Sequence, residues 1–135
     1  MNIFGIGVDI VNVKRINTVL KNKKNPSIKR VFSKNEIKTC EKNIKKNECY
    51  ARKFAAKEAF SKAMGTGIGK YFQFKEIEVV NNFSGSPKFN FLGNSSKNLK
   101  KILKNKKFKV YLSLTDDKPW AIAFVIISTY EWKNT

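Results

Sequence analysis

The sequence contains no histidine. That absence removes Ser-His-Asp and Cys-His catalysis, His-ligated zinc and any imidazole base. Cysteine is nearly absent as well. Cys40 and Cys49 are too few for a disulfide scaffold or a four-cysteine zinc site, so they read as two inert thiols in a reducing compartment. Acidic side chains number 10 against 28 basic ones, a formal charge of +18. Long apolar runs are missing too: the longest, Trp120 to Ile127, is far below the ~20 residues that span a bilayer. The segment from Met1 to Asp9 lacks a basic leader and Asp9 interrupts its apolar run, so no secretory signal is visible. What is present is 135 residues, 41% apolar, with eleven Phe. That supports one soluble, cytoplasmic domain over residues 1–135 with its own core.

The charge invites a nucleic-acid reading, since clustered Lys and Arg release counterions on phosphates. The bases, however, include only Arg15, Arg30 and Arg52 as arginines, and the lysines are spread along the chain. Lys, Asn, Ile and Phe all have AT-rich codons, so codon bias explains much of the excess. No ribonucleoprotein motif or zinc finger appears. An acidic partner or a polyphosphate ligand suits the same field.

Residues Ile3–Val8 read as a buried, Gly-containing strand that ends at Asp9. Asn12 can cap a helix with Val13, Ile16, Val19 and Leu20 on one face, followed by a basic loop from Asn22 to Pro26. Ser33 and Glu36 have capping-box spacing, predicting a short helix to about Ile44. Asn47 can cap the clearest helix, from about Glu48 to Met64, which Gly65 stops. The second half predicts a strand over Phe74–Val80, a turn over Asn81–Pro87 and a returning strand over Lys88–Leu92. A Lys-rich helix to about Asn105 follows, then strands over Phe108–Leu114 and Trp120–Thr129. Short turns between adjacent strands favour antiparallel pairing, so the fold class is α+β: helices packed on one side of a mostly antiparallel sheet.

The most informative stretch runs from Arg52 to Gly69. Ala51, Ala55, Ala59 and Ala63 form a small-residue stripe suited to close packing. Glu58 falls at its edge, where a partly buried carboxylate needs a cation, a metal or several donors. Lys62, one turn on, offers an i,i+4 ion pair, and Ser61 adds a hydroxyl near the same edge. Gly65-Thr66-Gly67-Ile68-Gly69 is either a helix cap with a turn or a loop whose N–H groups approach a phosphate. Asp9 follows Gly5-Ile6-Gly7-Val8, a strand that lets another backbone or a ligand come close. Two carboxylates meeting from a strand and a helix make a sparse oxygen site. Mg2+ fits such a site, because it keeps waters and takes other ligands from substrate phosphates.

These residues also resemble a known family, the bacterial holo-acyl-carrier-protein synthases, which are small 4′-phosphopantetheinyl transferases. Gly5-Ile6-Gly7-Val8-Asp9-Ile10-Val11 with Arg15-Ile16 looks like the family's first motif. Phe54-Ala55-Ala56-Lys57-Glu58-Ala59 with Ser61-Lys62-Ala63 and Gly65-Thr66-Gly67-Ile68 looks like its second. Weaker matches continue through Phe74, Glu78, Asn81, Gly85, Pro87 and Ser113-Leu114-Thr115-Asp116.

The resemblance implies transfer of phosphopantetheine from coenzyme A to a serine of apo-acyl carrier protein in fatty acid biosynthesis, releasing adenosine 3′,5′-bisphosphate. It implies a 4′-phosphopantetheinyl transferase-like fold, with Asp9 and Glu58 holding Mg2+ and Lys62 on phosphate as the catalytic set. It puts Lys53, Ser61, Lys62, Gly65, Thr66, Gly67 and Pro87 on the coenzyme A side. Arg15, with Lys14 and Lys21, would meet the acidic carrier protein, steered also by Lys23 and Lys24. A homotrimer with clefts between subunits is implied, with no nucleic acid and no membrane. Two departures stand out: Tyr111 replaces the family's usual His, and Lys53 replaces its usual Arg, with Arg52 one position earlier. A nucleic-acid-binding module and a catalytically dead adaptor for the carrier protein are the competing readings.

Overall fold

The computed structural model describes residues 1–21 and 27–132. The basic loop over 22–26, with Lys23 and Lys24, lies outside the described residues. The elements are β1 (Asn2–Asn12), α1 (Val13–Lys21), α2 (Ser27–Val31), α3 (Lys34–Glu41) and α4 (Lys46–Met64), then a 3-10 turn (Phe74–Glu76). They continue with β2 (Ile77–Asn81), β3 (Pro87–Phe91), α5 (Gly93–Ile102), β4 (Lys107–Asp117) and β5 (Trp120–Tyr130). One antiparallel sheet has the order β1-β5-β4, and β2 pairs antiparallel with β3. The class is α+β, as the turn spacing implied.

Local chemistry explains most of the boundaries. The Asn12 side chain accepts from the Lys14 N–H at 2.9 Å and opens α1. The capping box forms: Ser33 Oγ accepts from the Glu36 N–H and the Glu36 carboxylate accepts from the Ser33 N–H. Gly65 ends α4 with φ of 75°, a left-handed conformation that glycine adopts without a Cβ penalty. Between β2 and β3, Asn82 Oδ1 accepts from the N–H groups of Ser84 and Ser86, building the expected turn.

Some boundaries differ from expectation. Helix α3 stops at Glu41, and α4 begins at Lys46, so Asn47 lies inside the first turn rather than capping it. Phe74–Glu76 is a 3-10 turn, not the start of a strand, and the five-residue α2 had no periodic signal. Strand β1 does not end at Asp9 but runs on to Asn12.

Helix α4 is buried on nearly every side, and two different chemistries hold it. Towards the three-stranded sheet it presents Ala51, Ala55, Ala59 and Ala63, all buried, against Gly5 and Gly7 of β1 and Ala121, Ala123, Val125 and Ile127 of β5. A Cβ on Gly5 or Gly7 would overlap the carbonyl oxygen of Ala63 or Ala59 respectively, so strand and helix meet backbone to backbone. On its other side Phe60 packs among Phe72, Phe89 and Phe91, with ring centroids 4.9 to 5.5 Å apart.

Beside that aromatic cluster lies an ion pair with no exposed area on either side chain. Lys57 Nζ donates to Glu36 Oε1 at 2.7 Å, to the Phe74 carbonyl at 2.8 Å and to the Ile77 carbonyl at 2.7 Å. Glu36 Oε2 accepts from the Val79 N–H at 2.9 Å. All three ammonium donors are used, so α3, α4, the 3-10 turn and β2 are tied at one point. Burial lowers the Lys57 pKa to about 8, and the Glu36 charge opposes that shift.

Two further expectations are corrected. Cys40 and Cys49 are not separate thiols but a disulfide, both nearly fully buried. The short turn between α3 and α4 doubles the chain back and brings their Cα atoms to 5.5 Å, within disulfide reach. The apolar strands β1 and β5 are buried on one face only. Their outer face leaves Ile6, Val8, Ile10 and Phe124 about half exposed, since among the described residues no element covers it.

Two outcomes follow for stability. Gly7→Ala forces strand and helix apart and lowers the unfolding free energy by about 1–3 kcal/mol in a denaturant titration; an unchanged midpoint refutes the backbone contact. Lys57→Met strands the Glu36 carboxylate and costs about 3–5 kcal/mol, whereas Glu36→Leu with Lys57→Met recovers much of that loss.

Candidate active site at the meeting of strand β1 and helix α4

Strand alternation puts Gly5, Gly7, Asp9 and Val11 on the face of β1 that meets α4. The close approach at Gly5 and Gly7 therefore carries Asp9 to the flank of the helix, where Lys62 Nζ donates to Asp9 Oδ1 at 2.9 Å. The expected Glu58–Lys62 pair is not made. The ammonium bridges instead to the strand, with the Asp9 side chain 14% exposed and that of Lys62 55%. A tertiary contact has outcompeted the local i,i+4 one.

Glu58 is thereby left alone. Of the ten carboxylates, eight have a hydrogen-bond or ion-pair partner, and Glu58 and Asp117 have none among the described residues. Asp117 is exposed, but Glu58 is half-buried. Burial raises the Glu58 pKa above its ordinary value and the nearby Asp9 charge adds to the rise, while Lys62 and Arg15 oppose it. Asp9, Glu58, Lys62 and Arg15 thus share one electrostatic neighbourhood.

This donor set can be tested against the metal that the resemblance implies. No group of three or more His, Cys, Asp or Glu side chains gathers among the described residues. Two carboxylates do not make a zinc site or a calcium cage. They do fit Mg2+, which keeps waters and accepts oxygen ligands from a phosphate substrate. An unpartnered, half-buried carboxylate beside a second one is the arrangement that a hard cation relieves.

The other expected residues divide. Gly65, Thr66 and Gly67 follow directly on α4, and a Cβ at Gly65 or Gly67 would meet nothing. Their constraint is therefore the positive φ (75° and 71°), not space. Ser61 does not reach this surface: it is 3% exposed and its hydroxyl donates to the Glu58 carbonyl at 2.8 Å. Lys53 is turned inward as well, donating to the Val79 carbonyl at 2.9 Å, and burial lowers its pKa. With Pro87, Lys53 lines a separate polar cleft of about 340 Å3 that also holds Arg52, Asn81, Gly85 and Asp116. In that cleft the arginine, 3.5 Å from Asp116, is the cation with access to solvent. Lys14, Arg15 and Lys21 are all exposed on α1.

Tyr111, in place of the family's usual His, is half exposed on the outer face of the three-stranded sheet. The neighbouring Tyr130 raises its pKa, so it stays a neutral phenol. Sequence reasoning missed the anchoring role of Lys57, which it saw only as a motif position. Its flanks, Ala56 and Phe60, were the available signal, because a lysine between core positions needs a buried partner.

The chain matches the family model described as the 4′-phosphopantetheinyl transferase superfamily over residues 5–125. It is 46% identical over 127 residues to a holo-acyl-carrier-protein synthase of Pelagibacter ubique, covering 94% of this chain and 98% of that protein. Its fold is similar to the holo-acyl-carrier-protein synthase structure from Neisseria meningitidis, with a TM-score of 0.85, 34% identity, and 95% and 100% of the two chains covered. It is similar also to the Helicobacter pylori synthase in complex with coenzyme A, with a TM-score of 0.78, 32% identity, and 91% and 99% covered. The glycine-led strand, the Lys-Glu helix and the loop beyond it thus sit inside a match that spans nearly the whole chain, which belongs to the 4′-phosphopantetheinyl transferase superfamily.

Proposed function

We propose that this chain is a holo-acyl-carrier-protein synthase acting as one transferase domain over residues 1–135. It transfers 4′-phosphopantetheine from coenzyme A to a serine of apo-acyl carrier protein, in fatty acid biosynthesis and in the cytoplasm. The observation that carries the reading is the unpartnered, half-buried Glu58 beside the Asp9–Lys62 pair. The names of the relatives and the coenzyme A bound to a similar synthase support it. No helix among the described residues is long and apolar enough to cross a membrane.

The attacking serine hydroxyl comes from the carrier protein. Its oxygen gives up its proton to solvent and forms the new bond to the phosphorus of the pantetheine phosphate, while the bond from that phosphorus to the bridging oxygen breaks and adenosine 3′,5′-bisphosphate leaves with the bridging oxygen. Such a transfer needs positioning and charge neutralisation rather than a protein nucleophile, which suits a chain with no histidine. Asp9 and Glu58 would hold Mg2+. When bound, Mg2+ supplies charge neutralisation at the diphosphate. Lys62 provides a mobile ammonium that can exchange the Asp9 carboxylate for a phosphate oxygen. The Gly65 N–H is spent on the Ser61 and Lys62 carbonyls that close α4, so the Thr66 and Gly67 N–H groups, next along the chain, would receive another. Arg52 is the better placed of the two cleft cations for a phosphate, since Lys53 is committed to Val79.

A homotrimer fits the outer sheet face. The cross-strand rows Val8–Phe124 and Ile6–Ile126–Tyr111 form a contiguous apolar surface, which a second copy would cover.

Intact mass of the carrier protein tests the reaction. The expected result is a gain of one phosphopantetheine with coenzyme A and Mg2+, abolished by a chelator. Glu58→Gln should slow the gain by roughly 100-fold or more while leaving circular dichroism intact; near-normal turnover in that variant would sink the assignment. For the assembly, Val8→Asp should convert a sedimenting trimer into smaller species, and a wild-type monomer would reject the trimer.

A further inference from the structure

Cys40 and Cys49 belong to no part of the chemistry described above, yet their disulfide borders the polar cleft that holds Arg52. Cys40, in the last turn of α3, has no exposed area, and Cys49, in the first turn of α4, is 4% exposed. Cys49 lines the cleft together with Thr39, Asn43, Arg52 and Lys53, and Cys40 does not. The cleft therefore gives an approach to one sulfur of the pair.

The turn between α3 and α4 forms part of the cleft wall through Asn43. Residues 41–46 are all exposed, and the turn is fastened by short-range bonds. Glu41 pairs with Lys46 at 3.1 Å and accepts from the Tyr50 hydroxyl at 3.0 Å. The Asn43 N–H donates to the Cys40 carbonyl, and Asn43 Oδ1 accepts from the Lys45 N–H. The disulfide is the covalent closure of this segment, and a cross-link removes conformations from the segment it closes.

The charges on α4 favour exchange at Cys49. Arg52 and Lys53 follow it by one helical turn and line the same cleft, and cations so placed stabilise a thiolate. In a reducing compartment such as the cytoplasm proposed above, disulfides are typically transient, sensing or catalytic rather than structural staples.

We propose that Cys40–Cys49 is a reversible thiol-exchange site for an external dithiol, entered from the cleft, and that its oxidised form stiffens the cleft wall. The attacking thiolate bonds to Cys49 Sγ, the Cys40–Cys49 bond breaks, and Cys40 leaves with the electron pair and takes up a proton. The second thiol of the reductant loses its proton and attacks its own sulfur in that mixed disulfide, which releases the Cys49 thiolate beside Arg52. The reductant ends as a disulfide, and the protein gains two electrons and, once Cys49 is protonated, two protons. The effect on ligand binding rests on the transferase reading, under which a phosphate of coenzyme A meets Arg52.

Dithiothreitol and adenosine 3′,5′-bisphosphate are the probes, the second because it carries no thiol, unlike coenzyme A. Alkylation followed by intact mass should show both cysteines blocked in the oxidised protein. Both should react after dithiothreitol without denaturant, and oxidised dithiothreitol should reverse this. A disulfide that resists reduction in the native protein overturns the proposal. Calorimetric titration should show the bisphosphate binding roughly tenfold more weakly to the reduced protein. By linkage, saturating bisphosphate should raise the dithiol-to-disulfide ratio needed for half reduction by the same factor. Cys40→Ala with Cys49→Ala should bind as the reduced protein does and ignore dithiothreitol. Equal affinity in the two redox states overturns the proposal, and so does the oxidised protein's affinity in the double variant. Should the bisphosphate bind neither state, the transferase reading fails, and amide hydrogen exchange over residues 41–49 decides the proposal. Faster exchange on reduction sustains it, and unchanged exchange overturns it.

Discussion

With no Cβ at Gly5 or Gly7, β1 lies against α4 at backbone distance, and everything chemically interesting follows from that contact. Asp9 is two residues beyond Gly7 on the same face of the strand, so its distance from the helix is set by how closely the glycines let the backbones approach. The same approach sets how near Asp9 comes to Lys62, which it meets at 2.9 Å, and to Glu58, whose pKa its charge helps raise. The alanine stripe is the matching half of the same contact. Small residues stabilise little by their own burial, so their value here is geometric.

Such a contact constrains one side of α4 only, and a helix gripped on one side can still roll. The opposite side prevents that. Lys57 uses all three of its donors on groups from α3, the 3-10 turn and β2, and Phe60 sits among three other rings. Glu58 is adjacent in sequence to this anchor, 100° around the helix, so the direction of its carboxylate is set by a pair it never touches. A buried ion pair is a poor source of net stability, because desolvation offsets most of its attraction. Fully satisfied polar groups do specify one packing over its neighbours, and that fixes the helix face from which Glu58 projects.

The parts of the fold governed by local rules were legible in the sequence. The alternation of Gly5 and Gly7, the four-residue recurrence of alanine, the Ser33–Glu36 box and the Gly65 stop each depend on residues within a few positions. The features that were not legible depend on partners far along the chain. Lys62 has Glu58 one turn away, yet it bonds Asp9, 53 residues distant, because the strand arrives on that flank. Lys57 finds Glu36 across 21 residues, and Ser61 spends its hydroxyl on its own helix. Strand exposure was misread for a related reason. An apolar run signals burial on both faces without saying which chain supplies the cover, so β1 and β5 read as interior although their outer face is open.

The charge of the molecule raises a last physical point about the site. Nearly every carboxylate is tied internally, so the lysine excess is felt outside, though salt confines each charge to about 8–10 Å. That field favours anions at the surface, and on the reading proposed above both the coenzyme and the carrier protein are anionic. Yet the place where the diphosphate must arrive is where the protein leaves a half-buried carboxylate without a partner. A diphosphate brought against Asp9 and Glu58 would meet like charge in a partly desolvated setting, where repulsion is strongest. Burial, more than the neighbouring Asp9 charge, raises the Glu58 pKa, while Lys62 and Arg15 oppose the rise. A small divalent cation, as in the function proposed above, would relieve that repulsion. On the function proposed above, the unpartnered glutamate is where such a cation would bind, and the Asp9–Lys62 pair stands beside it.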